Sequence, residues 1–171
     1  DGSITPRIQT VAEVLSSLGE TEISTNLAAS RWIKLMHNCA MSGLSTALGC
    51  VFTDAVFNDK ALTCSVYIAQ EVVRVAAKCG VTELVGYGID PVLMGSFETA
   101  EEREAAKHEF REHYKTFTNS RASMLQDLMK GKPCEIGQLN GFVSQKGKEV
   151  GCPTPFNDTV TDIVRKIERG E

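Results

Sequence analysis

The chain has 171 residues, 42% of them hydrophobic and 23% charged, and a formal net charge of −4. That apolar content excludes an intrinsically disordered chain, and a mildly acidic balance with both signs interspersed lacks the basic footprint of a nucleic-acid binder. No apolar run approaches the roughly 18 residues a membrane-spanning helix needs, so a globular domain with its own core is expected. Thr5-Pro6 reads as an N-cap followed by proline at the first helical position. Ile8, Val11, Val14, Leu15 and Leu18 then form a helical stripe that Gly19 ends. Glu22-Ile23-Ser24-Thr25 is the one credible short strand. A helix, a glycine and a strand together suggest an αβ fragment of a sheet domain. The chain opens at Asp1 without a methionine, which predicts a piece of a longer protein.

From about Leu27 the pattern is helical almost without a break. Trp32, Leu35, Met36, Cys39, Ala40, Leu44 and Ala47 make a wide apolar face on a helix running to about Leu48. Residues 60–79 are apolar nearly all round, as suits the centre of a bundle; an interface between chains would need the same composition. Thr99-Ala100-Glu101-Glu102 is a capping box opening a charged helix to about Tyr114, whose charges read as a solvated face. Ser123-Met124-Leu125-Gln126 reads as a second capping box, with its helix ending near Lys130-Gly131. A further helix is expected from Ile136 to Val150, closed by Gly151. Thr154-Pro155 opens the last, striped by Phe156, Val160, Ile163, Val164 and Ile167.

The six cysteines include no CxxC pair, and the three histidines do not join them at zinc spacing, so no metal site and no disulfide is expected. Free thiols in a reducing cytoplasm are the simplest reading. Gly86-Tyr87-Gly88 has Pro91 where a dinucleotide loop needs its third glycine, and Lys130-Gly131-Lys132 lacks phosphate-loop spacing.

A polar line on an otherwise apolar helix is the most suggestive chemistry. At roughly 100° per residue, Lys34, Asn38, Ser42 and Ser45 fall on one narrow stripe, which Met41 interrupts. A solvent-facing strip accounts for this pattern, and so does a lysine and an asparagine facing a cleft, where burial tunes the ammonium as an acid. Ser123 either caps its helix or, with the free amides there, receives an anion. Glu135, just before an apolar helix, is a natural partner for the helix dipole.

Four motifs in order carry a resemblance. They are Trp32-Ile33-Lys34-Leu35-Met36-His37-Asn38, Ser120-Arg121-Ala122-Ser123-Met124-Leu125-Gln126-Asp127, the run from Glu135-Ile136 to Asn140-Gly141, and Gly151-Cys152-Pro153-Thr154-Pro155 with Asn157. Together they resemble the C-terminal domain of ketopantoate reductase (2-dehydropantoate 2-reductase), from about Arg7 to the end. The resemblance implies a mainly α fold, a helical bundle of the 6-phosphogluconate dehydrogenase C-terminal type over residues 27–171. It implies that residues 1–26 are the remnant of a Rossmann domain holding NADPH upstream.

Carried over by position, Lys34 is the proton donor to the ketone oxygen. Asn38, Ser42 and Ser123 bind the substrate, and Glu135 contacts the cofactor. The implied reaction reduces 2-dehydropantoate to pantoate in pantothenate and coenzyme A synthesis. The implied partners are a small 2-keto acid and the Rossmann domain, with no nucleic acid or membrane, and a homodimer left open. The family often has Asn-Pro where this chain has Ser42-Gly43, and no counterpart of a further substrate asparagine stands near Phe52. Two alternatives therefore stay open: a reductase for another 2-keto acid, and a non-catalytic helical module for dimerisation or ligand sensing.

Overall fold

The computed structural model describes residues 2–84 and 88–171, and every regular element among them is helical. Gly86 and Tyr87, read above against a dinucleotide loop, lie outside the described residues. Helix α1 (Pro6–Ser16) starts as its sequence predicts, with the Thr5 hydroxyl accepting from the Ile8 amide and Pro6 in the first turn. The strand expected at Glu22–Thr25 does not form, because no neighbouring strand is there to complete a ladder. Of the expected αβ fragment, one helix remains, and none of its residues is buried.

Helix α2 (Leu27–His37) is capped by the Asn26 side chain, which accepts from the Ala29 amide. The predicted single helix to Leu48 is in fact three joined pieces: α2, a π-helical turn at Asn38–Gly43, and α3 (Leu44–Leu48), ended by Gly49 at φ +67°. Helices α4 (Phe52–Phe57) and α5 (Asp59–Lys78) follow, the latter capped by Asn58. After α6 (Pro91–Ser96), α7 (Ala100–Tyr114) opens with the predicted capping box, Thr99 and Glu102 each bonding the other's backbone.

Helix α8 (Ser123–Met129) starts where expected but without its box. Ala122 is the N-cap, and the Gln126 amide donates to the Arg121 carbonyl instead of turning back to the helix start. Helix α9 (Asn140–Val150) begins four residues later than its apolar pattern suggests, since Glu135–Leu139 forms a turn first. Helix α10 (Pro155–Arg169) completes the bundle.

Helix α5 is the axis. It packs against α2, the π-turn, α4, α6, α7, α9 and α10. Eleven of its residues are buried by this chain itself, so its apolar surface is core and gives no support to an interface. Charged α7 is less solvated than its composition suggests. It buries Ala106, Phe110 and Tyr114 together with Lys107, whose ammonium lies 2.6 Å from Asp59 and 3.0 Å from Glu104.

The start of α10 is held from across the bundle. Pro155 has no amide hydrogen, and the Thr154 hydroxyl caps nothing. The amides of Phe156 and Asn157 instead donate to the buried carboxylate of Glu71 on α5, at 2.8 and 2.9 Å, and the Asn157 side chain donates to it at 2.7 Å. Asn157 in turn accepts from the Asn140 side chain at 3.0 Å, and Asn140 donates to the Cys39 carbonyl in the π-turn at 3.3 Å. One buried polar chain thus links α5, α10, α9 and the π-turn.

Burial raises the Glu71 carboxyl above its ordinary value of 4.5, outweighing the three donors that oppose the shift. Glu71→Gln, which faces these donors with an amide nitrogen, should cost about 1–3 kcal/mol in urea unfolding at neutral pH. Because the native state holds Glu71's proton to higher pH than the unfolded chain does, the wild type should gain stability relative to Glu71→Gln as pH falls through that raised value toward 4.5. A gap independent of pH would contradict this.

Candidate functional site

The residues singled out in the sequence lie on three pieces of backbone: α2 with the π-turn, the start of α8, and the turn before α9. Lys34 sits in the last turn of α2 and is exposed. Asn38 and Ser42 belong to the π-turn and are half-buried, while Ser123 opens α8 and Glu135 precedes buried Ile136, both of them exposed. Helix α8 packs on the π-turn and on α3, so Ser123's helix is the neighbour of Asn38 and Ser42. The turn containing Glu135 leads into Asn140, which is bonded to the π-turn. Ser45 leaves the predicted stripe. It is fully buried, its hydroxyl donating to the Ser42 carbonyl.

The π-turn explains both outcomes. Adding about one residue to a helical turn slows the rotation per residue, which draws Ser42 back toward the line of Lys34 and Asn38 and swings Ser45 inward. Such turns cost stability and need tertiary support. Here the Asn140 carboxamide supplies it, lying against Gly43 so closely that a Cβ there would overlap it.

Beside Lys34 lies a cluster that sequence reading passed over. His37 Nδ1 is 2.7 Å from the Tyr114 hydroxyl, and its ring lies 5.1 Å from that of His113. Burial first, then His113 and Lys34, hold the His37 imidazole down to about 4. The one signal available was a histidine three residues after the candidate lysine; its partner lies 77 residues away. Glu71, Asn140 and Asn157 were equally silent as a network, although both asparagines fall inside the resemblance motifs.

Among the described residues no group of three or more His, Cys, Asp or Glu could hold a metal ion, and all six cysteines are free. Among the described residues, five of the left-handed glycines, 49, 80, 131, 151 and 170, stand at helix C-termini. These five therefore do not form the strand-to-helix turn that cradles a dinucleotide pyrophosphate. Glu135 is an exposed carboxylate just ahead of α9.

The sequence model of the ketopantoate reductase PanE/ApbA C-terminal domain matches residues 26–168. The chain belongs to that family. A curated ketopantoate reductase from Archaeoglobus fulgidus (2-dehydropantoate 2-reductase) is 28% identical over 171 residues, 99% of this chain and 51% of the relative. Another from Pyrococcus abyssi is 29% identical over 162 residues, 94% of this chain and 48% of the relative. The chain spans about half the length of the curated ketopantoate reductases it matches.

Among solved structures, a PanE/ApbA family ketopantoate reductase from Ralstonia eutropha superposes with a TM-score of 0.73 at 26% identity, over 97% of this chain and 50% of that one. A D-mandelate dehydrogenase, solved with NADH and anilino(oxo)acetate, superposes with a TM-score of 0.74 at 26% identity, over 96% and 48%. The helical fold expected from the sequence is thus that of the ketopantoate reductase C-terminal domain. Within that fold, Gly43→Ala should destabilise by about 1–3 kcal/mol, because the new methyl must displace the Asn140 carboxamide. Thermal unfolding measures the loss, and an unchanged midpoint would show that the π-turn yields freely.

Proposed function

We propose that this chain is the helical, substrate-binding half of a reductase that converts 2-dehydropantoate to pantoate with NADPH, the step that feeds pantothenate and coenzyme A synthesis. The observation that carries the reading is Lys34 at the mouth of a π-turn bearing Asn38 and Ser42, with Ser123's helix packed against that turn. A reduced nicotinamide, when bound, supplies the hydride that reaches the keto carbon. Lys34 holds the proton that the keto oxygen needs as it gains negative charge, and an ammonium beside that oxygen stabilises the developing alkoxide before transfer completes. Asn38 and Ser42 orient the substrate by hydrogen bonds, and the hydroxyl and free amides at the start of α8 suit its carboxylate. Glu135 serves the cofactor's near edge.

In this reading residues 1–26 are the tail of a nucleotide-binding domain. The exposed apolar face of α1, with Val14 65% and Leu15 46% accessible, and relatives about twice as long support that division. The missing half would also roof the site and exclude water, which Lys34, Ser123 and Glu135 all meet in this chain. No helix among the described residues is long and apolar enough to cross a membrane. A cytoplasmic location belongs to the proposal.

A second reading is favoured by two observations. Ser42 is shorter than the asparagine the family often has, and the D-mandelate dehydrogenase is as similar in structure as the ketopantoate reductases. Under it the substrate is another 2-keto acid, and comparing kcat/KM over a panel of 2-keto acids separates the two.

In the full-length protein, Lys34→Ala should lower kcat by about 10²–10⁴, the usual range for losing a general acid. A loss under threefold would reject the role. The 171-residue chain alone should show no turnover, since it cannot hold hydride donor and acceptor together, and activity in that preparation would contradict the division of labour.

A further inference from the structure

The end of α2 is tied to α7 by side chains. Helix α7 packs chiefly on α4, α5 and α6. Its last residue, Tyr114, reaches the last residue of α2, His37, through the 2.7 Å contact between Oη and Nδ1. Tyr114 is only 4% exposed and is walled by Phe52, Phe110 and Phe117, with ring centroids 5.9, 5.1 and 5.3 Å away. A buried hydroxyl hydrogen needs an acceptor, and among the described residues the imidazole nitrogen is the one within reach. This assigns the bond: Tyr114 donates, His37 Nδ1 accepts, and the His37 proton sits on Nε2. Lys34 precedes His37 by three residues, so the two side chains are neighbours on the helix surface.

We propose that His37, clamped by the Tyr114 hydroxyl, is a positioning residue for the reduction: it fixes the end of α2 where regular helix passes into the π-turn, and with it the direction from which Lys34 meets the keto oxygen. The inference rests on Lys34 being the proton donor. A proton on Nδ1 would reverse the bond, leaving the buried Tyr114 hydrogen without this acceptor, and would add a second cation beside Lys34. Among the described residues, the charged and titratable groups around His37 include Lys34 on its own helix and His113 and Tyr114 on α7. Glu109, also on α7, acts on His113, which in addition bonds the Gly88 backbone. Burial and the two neighbouring cationic groups keep His37 uncharged down to about pH 4.

The test compares His37→Leu, His37→Asn, Tyr114→Phe and Lys34→Ala in the full-length protein, with thermal melts to verify folding. His37→Leu and Tyr114→Phe should each lower kcat about tenfold while KM for the keto acid moves less than about threefold, the signature of misdirected chemistry. His37→Asn, whose amide oxygen can accept from Tyr114, should recover kcat to within about threefold of the wild type. In Tyr114→Phe, the His37 imidazole followed by NMR should titrate about one pH unit higher, since the bond that favours its uncharged form is gone.

Wild-type kcat in folded His37→Leu, with Lys34→Ala inactive, overturns this inference and leaves the reductase reading standing. An unmoved His37 titration in Tyr114→Phe also overturns it. If His37→Leu does not fold, Tyr114→Phe and His37→Asn decide. Should Lys34→Ala keep full turnover, both readings fall together.

Discussion

The Glu71 carboxylate is the constraint on which the bundle turns. A carboxylate on a central helix is expensive to bury, and it is tolerated here because three N–H donors converge on it from the first turn of α10. The positive end of that helix adds to their attraction. The arrangement replaces a local cap with a distant one. Asn157 is the branch point, since its side chain both donates to Glu71 and accepts from Asn140. Together these bonds tie α5, α10, α9 and the π-turn to one another, with Asn140 Oδ1 buried against Gly43 and unpaired.

The last link of the network carries the most consequence for chemistry. Asn140 ends in the π-turn, bonding the Cys39 carbonyl and pressing its carboxamide against Gly43. Backbone that would otherwise relax to regular helix is thereby held open by one residue. Trp32 adds a second anchor on the same helix, its ring 5.9 Å from that of Phe142 on α9. The polar face thus rests on a scaffold fixed from behind by α9, with Lys34 exposed and Asn38 and Ser42 half-buried at its front. Rigid support behind and access in front is what the proposed substrate-positioning role requires.

Features set by neighbours in the chain were legible beforehand. The Thr99–Glu102 box, the Thr5-Pro6 start, the Gly151 stop and the apolar centre at α5 each depend on contacts within a turn or on composition. Features set by distant partners were not. The box at Ser123 fails because Gln126 finds the Arg121 carbonyl, and the strand at Glu22–Thr25 fails for want of a second strand. The π-turn was invisible because the contact that braces it comes from Asn140, some hundred residues away. Of the candidate site, the spacing marks Lys34, Asn38 and Ser42 as one polar stripe, and the structure places them at the end of α2 and in the π-turn. The fate of Ser45 was hidden, because it follows from the change of helical pitch just upstream.

A π-turn is a regular helix holding one surplus residue. Removing a single residue between Asn38 and Gly43 would let the backbone close into an unbroken rod, with its hydrogen bonds more comfortable than before. Because the wide turn already absorbs the surplus residue, the helix on either side would keep nearly its present phase, and Ile33 and Met36 would stay sealed in the core. The loss would fall on the turn itself, where the Cys39 carbonyl and Gly43 would shift against the Asn140 side chain that now braces them.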